Sequence, residues 1–123
     1  MTPWVRQEDY ARFCPGGPPV TPQDLLRAQQ EVEAICYGRV DDENFERFSL
    51  FQREKLKQAA CMHALFLLRY GAMLAMPLQR RAVGVVGETI DPMRTERQGG
   101  VITSLEVMAL LRQTGLASRR LPR

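Results

Sequence analysis

Residues 49–76 read SLFQREKLKQAACMHALFLLRYGAMLAM, and this stretch decides the fold class. Ser49 and Gln52 have the spacing of a capping box, in which two side chains satisfy backbone N–H groups at a helix start. No proline follows until Pro77, which disfavours helix at the residue before it. The spacing predicts one helix from about Ser49 to about Met76, roughly 40 Å long at 1.5 Å per residue. Leu56, Ala60, His63, Leu67, Tyr70 and Leu74 mark one face, and Ala59, Met62, Phe66 and Met73 widen it. An apolar surface that broad belongs to the central helix of a domain.

Upstream, Arg39–Arg47 is polar and acidic and reads as a connecting loop. Before it, Thr21 is placed to cap a helix, Pro22 suits the first helical position, and Asp24 favours the positive end of the helix dipole. Leu25, Ala28, Val32 and Ile35 or Cys36 then form one apolar stripe, ending near Tyr37-Gly38. The run Cys14-Pro15-Gly16-Gly17-Pro18-Pro19 breaks any helix, so residues 7–13, with Tyr10 and Phe13 on adjacent turns, form a separate short one.

Downstream, Val83, Val85, Val86 and Ile90 lie among Gly84 and Gly87, a mixture that favours strand over helix. Asp91-Pro92 and Gln98-Gly99-Gly100 are turn signals. Residues 80–102 are therefore expected to be a β-hairpin or long loop. Thr103 and Glu106 have capping-box spacing before a final helix carrying Leu105, Met108, Leu110 and Leu111. Gly115 is placed to end it, with Leu116 folding back on the last turn. Residues 117–123 read as a basic tail. The expected architecture is mainly α: one domain over residues 1–123, a small bundle of three to four helices with a β-hairpin or long-loop insertion before the C-terminal helix.

The chain has 123 residues and ordinary hydrophobic content, enough for one modest core. Its net charge of +3 is unevenly distributed. Residues 1–76 hold 9 Lys/Arg against 10 Asp/Glu, whereas residues 77–123 hold 8 against 4. A basic end of this kind suits an acidic protein surface or a phosphate backbone. Cys14, Cys36 and Cys61 are an odd, widely spaced set, which argues against a disulfide framework and for a reducing compartment. The stretch Met1–Arg6 has no apolar signal core. The apolar patch around Ala64–Leu68 falls far short of the roughly 18 residues that span a bilayer, so no membrane association is expected.

Catalytic chemistry finds little support. His63 is the sole histidine and lies on the apolar stripe, where a satisfied core histidine is the ordinary reading. Cys61, two residues away, points to another side of the helix and reads as small and buried; Cys14, beside a Pro-Gly turn, reads as the more exposed thiol. Asp41-Asp42-Glu43 lacks the spacing and glycine of a calcium loop. Gly84 and Gly87 are not a phosphate loop, since no lysine follows Lys57. Arg80, Arg81, Arg94, Arg97 and the tail could meet phosphates, but every aromatic precedes position 71, so the basic third carries no stacking platform of its own. No acid, base and nucleophile set is legible, and neither an enzyme nor a cofactor is expected.

The order of these pieces resembles the head-to-tail connector (adaptor, or head completion) family of tailed bacteriophages and prophages. The resemblance spans nearly the whole chain. It starts with Tyr10, Phe13 and Gly16-Gly17, followed by Ile35-Cys36-Tyr37-Gly38-Arg39-Val40 at the end of the first long helix. It continues with Phe45, Leu50-Phe51-Gln52, Lys57, Ala59 and Cys61. The most specific piece is Leu110-Leu111-Arg112-Gln113-Thr114-Gly115-Leu116 with Arg119, similar to the C-terminal Leu-Leu-x-x-Thr-Gly-Leu…Arg ending of several adaptors. Pro18-Pro19 departs from the pattern.

The resemblance implies a structural neck protein, assembled in the bacterial host cytoplasm and located in the virion neck. It implies a homo-oligomeric ring, typically a dodecamer. The ring would join the phage portal protein to the next neck or tail-completion protein, with DNA only passing through the channel. Arg112, Arg119, Arg120, Leu121 and Arg123 would meet the portal, and Arg80, Arg81, Val83, Val85, Val86 and Ile90 would form a subunit interface or lumen loop. The rival reading is a small helical DNA-binding or regulatory protein, monomeric or dimeric, with salt-dependent DNA binding.

Overall fold

The computed structural model describes residues 3–74 and 95–118. These residues form four α-helices: α1 (Gln7–Phe13), α2 (Pro22–Ile35), α3 (Leu50–Leu74) and α4 (Leu105–Thr114). A 3₁₀ turn (Phe45–Arg47) separates α2 from α3, and an antiparallel hairpin of β1 (Thr95–Gln98) and β2 (Val101–Ser104) leads directly into α4. The protein is thus mainly helical with a small hairpin before the last helix, as its sequence implies.

The helix starts follow local capping chemistry. Thr21 Oγ1 accepts from the Asp24 N–H at 3.1 Å, and Asp24 Oδ2 accepts from the Thr21 N–H at 2.9 Å. Ser49 and Gln52 make the same reciprocal pair, each at 3.1 Å. At α4 the expected cap is displaced by one residue. Ser104, not Thr103, occupies the cap and accepts from the Val107 N–H at 3.2 Å. Thr103 lies in β2 and is fully buried, because strand alternation turns it inward toward α3.

α3 is the hub on which α1, α2 and α4 all pack. Leu56, Ala59, Ala60, Cys61 and Ala64 are sealed on its inner arc, and the alanines let neighbouring helices approach closely. Leu25, Ala28, Val32 and Ile35 of α2 and Val107, Met108 and Leu111 of α4 fill the space around them. Truncating a fully buried leucine such as Leu56 to alanine costs about 2–5 kcal/mol in such a core.

The Arg39–Arg47 loop is more ordered than a solvated connector. Val40 and Phe45 are buried in it, and the Phe45 ring stacks on Trp4 at 4.8 Å. Gln29, also buried, accepts from the Trp4 N–H at 2.9 Å and so binds the N-terminal segment to α2.

A helix end leaves carbonyls without intrahelical partners, and three side chains supply donors at the end of α4 and just past it. Gln52 Nε2 reaches Thr114 O at 3.1 Å, Arg39 Nη1 reaches the carbonyls of Leu116 (3.1 Å) and Ser118, and Gln98 Nε2 reaches Ala117 O at 2.7 Å. Leu116 folds back and is buried, and so is Ala117. The packed chain therefore continues through Ala117, with the exposed Ser118 still held by its carbonyl, so the first two residues of the expected 117–123 tail belong to the folded part.

The hairpin pairs Gln98 with Val101 and Glu96 with Thr103, closed by Gly99 (φ +60°) and Gly100 (φ +78°). Two left-handed residues in a two-residue turn match the twist of the flanking strands. The turn falls at Gln98-Gly99-Gly100, as these residues imply, while β2 runs to Ser104, past the limit of 102 expected for the insertion. The Val83–Ile90 run, expected as strand, lies outside the described residues, as does the expected helix end at Met76. Gly99 also abuts α2: a Cβ there would stand 2.4 Å from Ala34 O. Gly99→Ala is expected to lower stability by about 2 kcal/mol through its left-handed backbone alone, and by more through the collision. Urea denaturation checks this; an unchanged midpoint would contradict the docking of the turn on α2.

Candidate functional site

His63 projects from the inner arc of α3 and is completely buried. Its Nδ1 lies 2.8 Å from Thr103 Oγ1, and its Nε2 lies 3.0 Å from Glu31 Oε1. An ionised carboxylate can only accept, so Nε2 carries a proton and donates to Glu31. In the neutral ring, Nδ1 then accepts from the Thr103 hydroxyl. The other oxygen of Glu31 accepts from Arg27 Nε at 2.9 Å, one helical turn away.

Carboxylate, imidazole and hydroxyl in a row have the order of a nucleophilic triad. Burial decides against that role: Thr103 and His63 are both fully shielded, and no substrate atom can reach the hydroxyl. The arrangement is a three-element tie joining α2, α3 and β2, consistent with the core-histidine reading. Glu31 and Thr103 were missed as its partners, since nothing local to either residue points to His63.

Hydrogen bonding to His63, with a further contribution from Arg27, holds the Glu31 carboxyl below the usual carboxylate range. Glu33, nearby on α2, is pushed the other way by burial, although Trp4 Nε1 donates to it at 2.9 Å.

Cys14, Cys36 and Cys61 are all free and buried; Cys14, at 8% exposure against 0% for the other two, is the more exposed of the three, as its Pro-Gly neighbourhood implies. Burial raises the Cys14 thiol and pushes those of Cys36 and Cys61 up to about 12. None is poised as a thiolate. Asp41 serves its own loop: Oδ1 accepts from the N–H groups of Glu43 (2.9 Å) and Asn44 (2.8 Å). Among the described residues no group of three His, Cys, Asp or Glu side chains converges as a metal site. No helix among them is long and apolar enough to cross a membrane.

Of the residues expected at partner surfaces, Arg112 is described, and it pairs with Glu96 on β1. Its guanidinium braces the hairpin against α4. Arg80, Arg81, Val83, Val85, Val86, Ile90, Arg119, Arg120, Leu121 and Arg123 lie outside the described residues.

One surface corner emerges from folding. Tyr37 has φ +57°, an unusual value for a bulky residue, and its side chain is exposed. The Arg39 guanidinium carbon lies 5.3 Å from its ring centroid. Tyr37, Arg97, Gln98 and Gly99 together line a surface cleft of about 450 Å³. The fold thus gives the basic third the aromatic neighbour that linear order denied it. The Tyr37-Gly38 helix ending was the local signal for this corner; the approach of Arg97 had none.

Comparison with known proteins gives no matching family model, no matching curated sequence and no matching solved structure.

The Glu31 shift has a defined pH signature. A carboxyl lowered in the folded state contributes stability above its unfolded pKa of about 4.3, and that contribution is lost as pH falls through the lower folded value. Wild-type stability should therefore fall more steeply than that of Glu31→Gln between about pH 5 and about pH 3. Parallel curves in urea titrations across that range would show that Glu31 holds no such bond.

Proposed function

We propose that this protein is a neck component of a tailed bacteriophage, of the head-to-tail adaptor type. Copies assemble into a ring beneath the portal, continue the DNA channel and present a docking surface to the next neck or tail component. The work is mechanical: symmetric assembly and retention of packaged DNA.

The observation that carries this reading is the outward face of α3. Phe51, Lys55, Gln58, Met62, Leu65 and Arg69 recur at steps of four and three, and each is exposed or only half-buried. That spacing is the spacing of a helix-packing seam. Phe51 is 54% exposed, adjacent Leu50 is 66% exposed, and Met62 and Leu65 meet the core only in part. Apolar side chains interleaved with long cationic stems bury their remaining surface by meeting another chain. A head-to-tail ring requires such a face on each subunit, matched to a different face on the next.

The order of sequence pieces shared with the adaptor family supports the same reading. In this account the portal contact falls to Arg119, Arg120, Leu121 and Arg123, and the guanidinium groups of the three arginines suit acidic grooves. Arg112, engaged with Glu96, is left to the subunit itself.

Light scattering after size-exclusion chromatography, alone and with the phage's portal protein, followed by negative-stain imaging, tests the proposal. Rings or portal co-elution are expected. The double variant Phe51→Glu and Leu65→Glu should keep its helical circular dichroism and lose the ring; rings that persist would remove the α3 face from the interface. A chain ending at Ser118 should fold as before and lose the portal, and unchanged co-elution would exclude the basic tail. A monomer or dimer that ignores the portal and binds DNA with steep salt dependence would favour the regulatory alternative.

A further inference from the structure

The corner around Tyr37 combines four independent features. The first is an open strand edge. β1 belongs to a two-stranded ribbon, and the two-residue turn makes Gln98 and Val101 a hydrogen-bonded pair. Ladder alternation then turns the backbone N–H and C=O of Arg97 outward. Among the described residues neither group has a backbone partner.

The second is uncompensated positive charge. Arg39 donates to the carbonyls of Leu116 and Ser118, and Arg97 is exposed. Among the described residues neither guanidinium has a carboxylate partner. The third is a fixed acceptor. Gln98 Nε2 donates to Ile35 O at 2.9 Å and to Ala117 O at 2.7 Å, which locks the amide and leaves Oε1 as an acceptor. The fourth is backbone strain. Tyr37 adopts a left-handed conformation that glycine would take without cost, and it keeps its ring exposed at the cleft. The same left-handed residue ends α2, with the Gly38 N–H donating to Glu33 O at 2.9 Å, so the helix end fixes where the ring sits.

We propose that this corner docks an extended acidic peptide segment of a partner protein. The segment adds along the β1 edge, exchanging main-chain hydrogen bonds with Arg97. A carboxylate of the segment takes the Arg97 guanidinium fork, its neighbouring side chain lies across the Tyr37 ring, and one of its N–H groups reaches Gln98 Oε1. Single-stranded nucleic acid fits less well: it needs successive stacking platforms and a track of cations, and the corner offers one ring and two guanidiniums. This site is separate from the α3 face, and its test does not depend on ring formation.

The experiment is an amide NMR titration of the full chain with an acetylated, amidated Glu-Thr-Glu-Thr-Glu peptide. The amides of Gly38, Arg97, Gln98 and Gly99 should shift and saturate. A peptide with Gln in place of Glu, and the Arg97→Ala variant, should each bind about tenfold more weakly or worse. Tyr37→Gly removes the ring while relieving the backbone, so it should fold at least as well as wild type and still lose affinity. No saturable shift at these amides would overturn the proposal. So would shifts that persist unchanged in Arg97→Ala, or tighter binding of an oligothymidylate at the same residues.

Discussion

The imidazole of His63 sits between the Thr103 hydroxyl and the Glu31 carboxylate, with no part of the ring exposed. Its three residues come from β2, α2 and α3, elements that a purely apolar core would hold with less geometric precision. Hydrogen bonds demand direction, so this group sets where the hairpin lies on the helices. The hairpin position in turn sets the start of α4, the approach of Gly99 to Ala34, and the placement of Gln98 over the ends of α2 and α4. Removing one partner would leave a buried polar atom unpaired, at about 1–3 kcal/mol. For a domain this small, that is a large share of its stability.

The helices were legible because their determinants are local. Thr21, Pro22 and Asp24 act within one turn of each other, as do Ser49 and Gln52, and the apolar stripe of α2 repeats at helical spacing. The hairpin turn was legible for the same reason, since Gly99-Gly100 permits positive φ without outside help. The cap of α4 was misplaced because Thr103 and Ser104 are chemically similar. Strand alternation chooses between them, and the strand was not visible at that point. Cys14 is the most exposed of the three cysteines, as its Pro-Gly turn implies, but how far it is buried depends on packing that the local sequence does not specify.

Surface features were the least legible. Arg97 belongs to a segment without aromatics, yet folding brings it to Tyr37 across the hairpin turn. Arg112 looked free at the start of a basic end, yet Glu96 meets it from the neighbouring strand. Both pairings depend on the tertiary placement of β1. The tie at His63 and the presented ring of Tyr37 therefore belong to one chain of cause: a buried polar group seats a hairpin, and the hairpin builds a corner on the surface. The outer row of α3 is independent of that chain, because helix geometry alone turns Phe51, Met62 and Leu65 away from the arc that holds Leu56 and His63.

Nitrogen-15 NMR of the imidazole ring shows whether a directed polar tie at His63 organises the fold. A ring held between Glu31 and Thr103 shows a slowly exchanging proton on Nε2 and a hydrogen-bonded Nδ1, coupled to the Thr103 hydroxyl. Averaged ring signals with rapid solvent exchange at both nitrogens would contradict that tie, because they would place the ring in water rather than between Glu31 and Thr103.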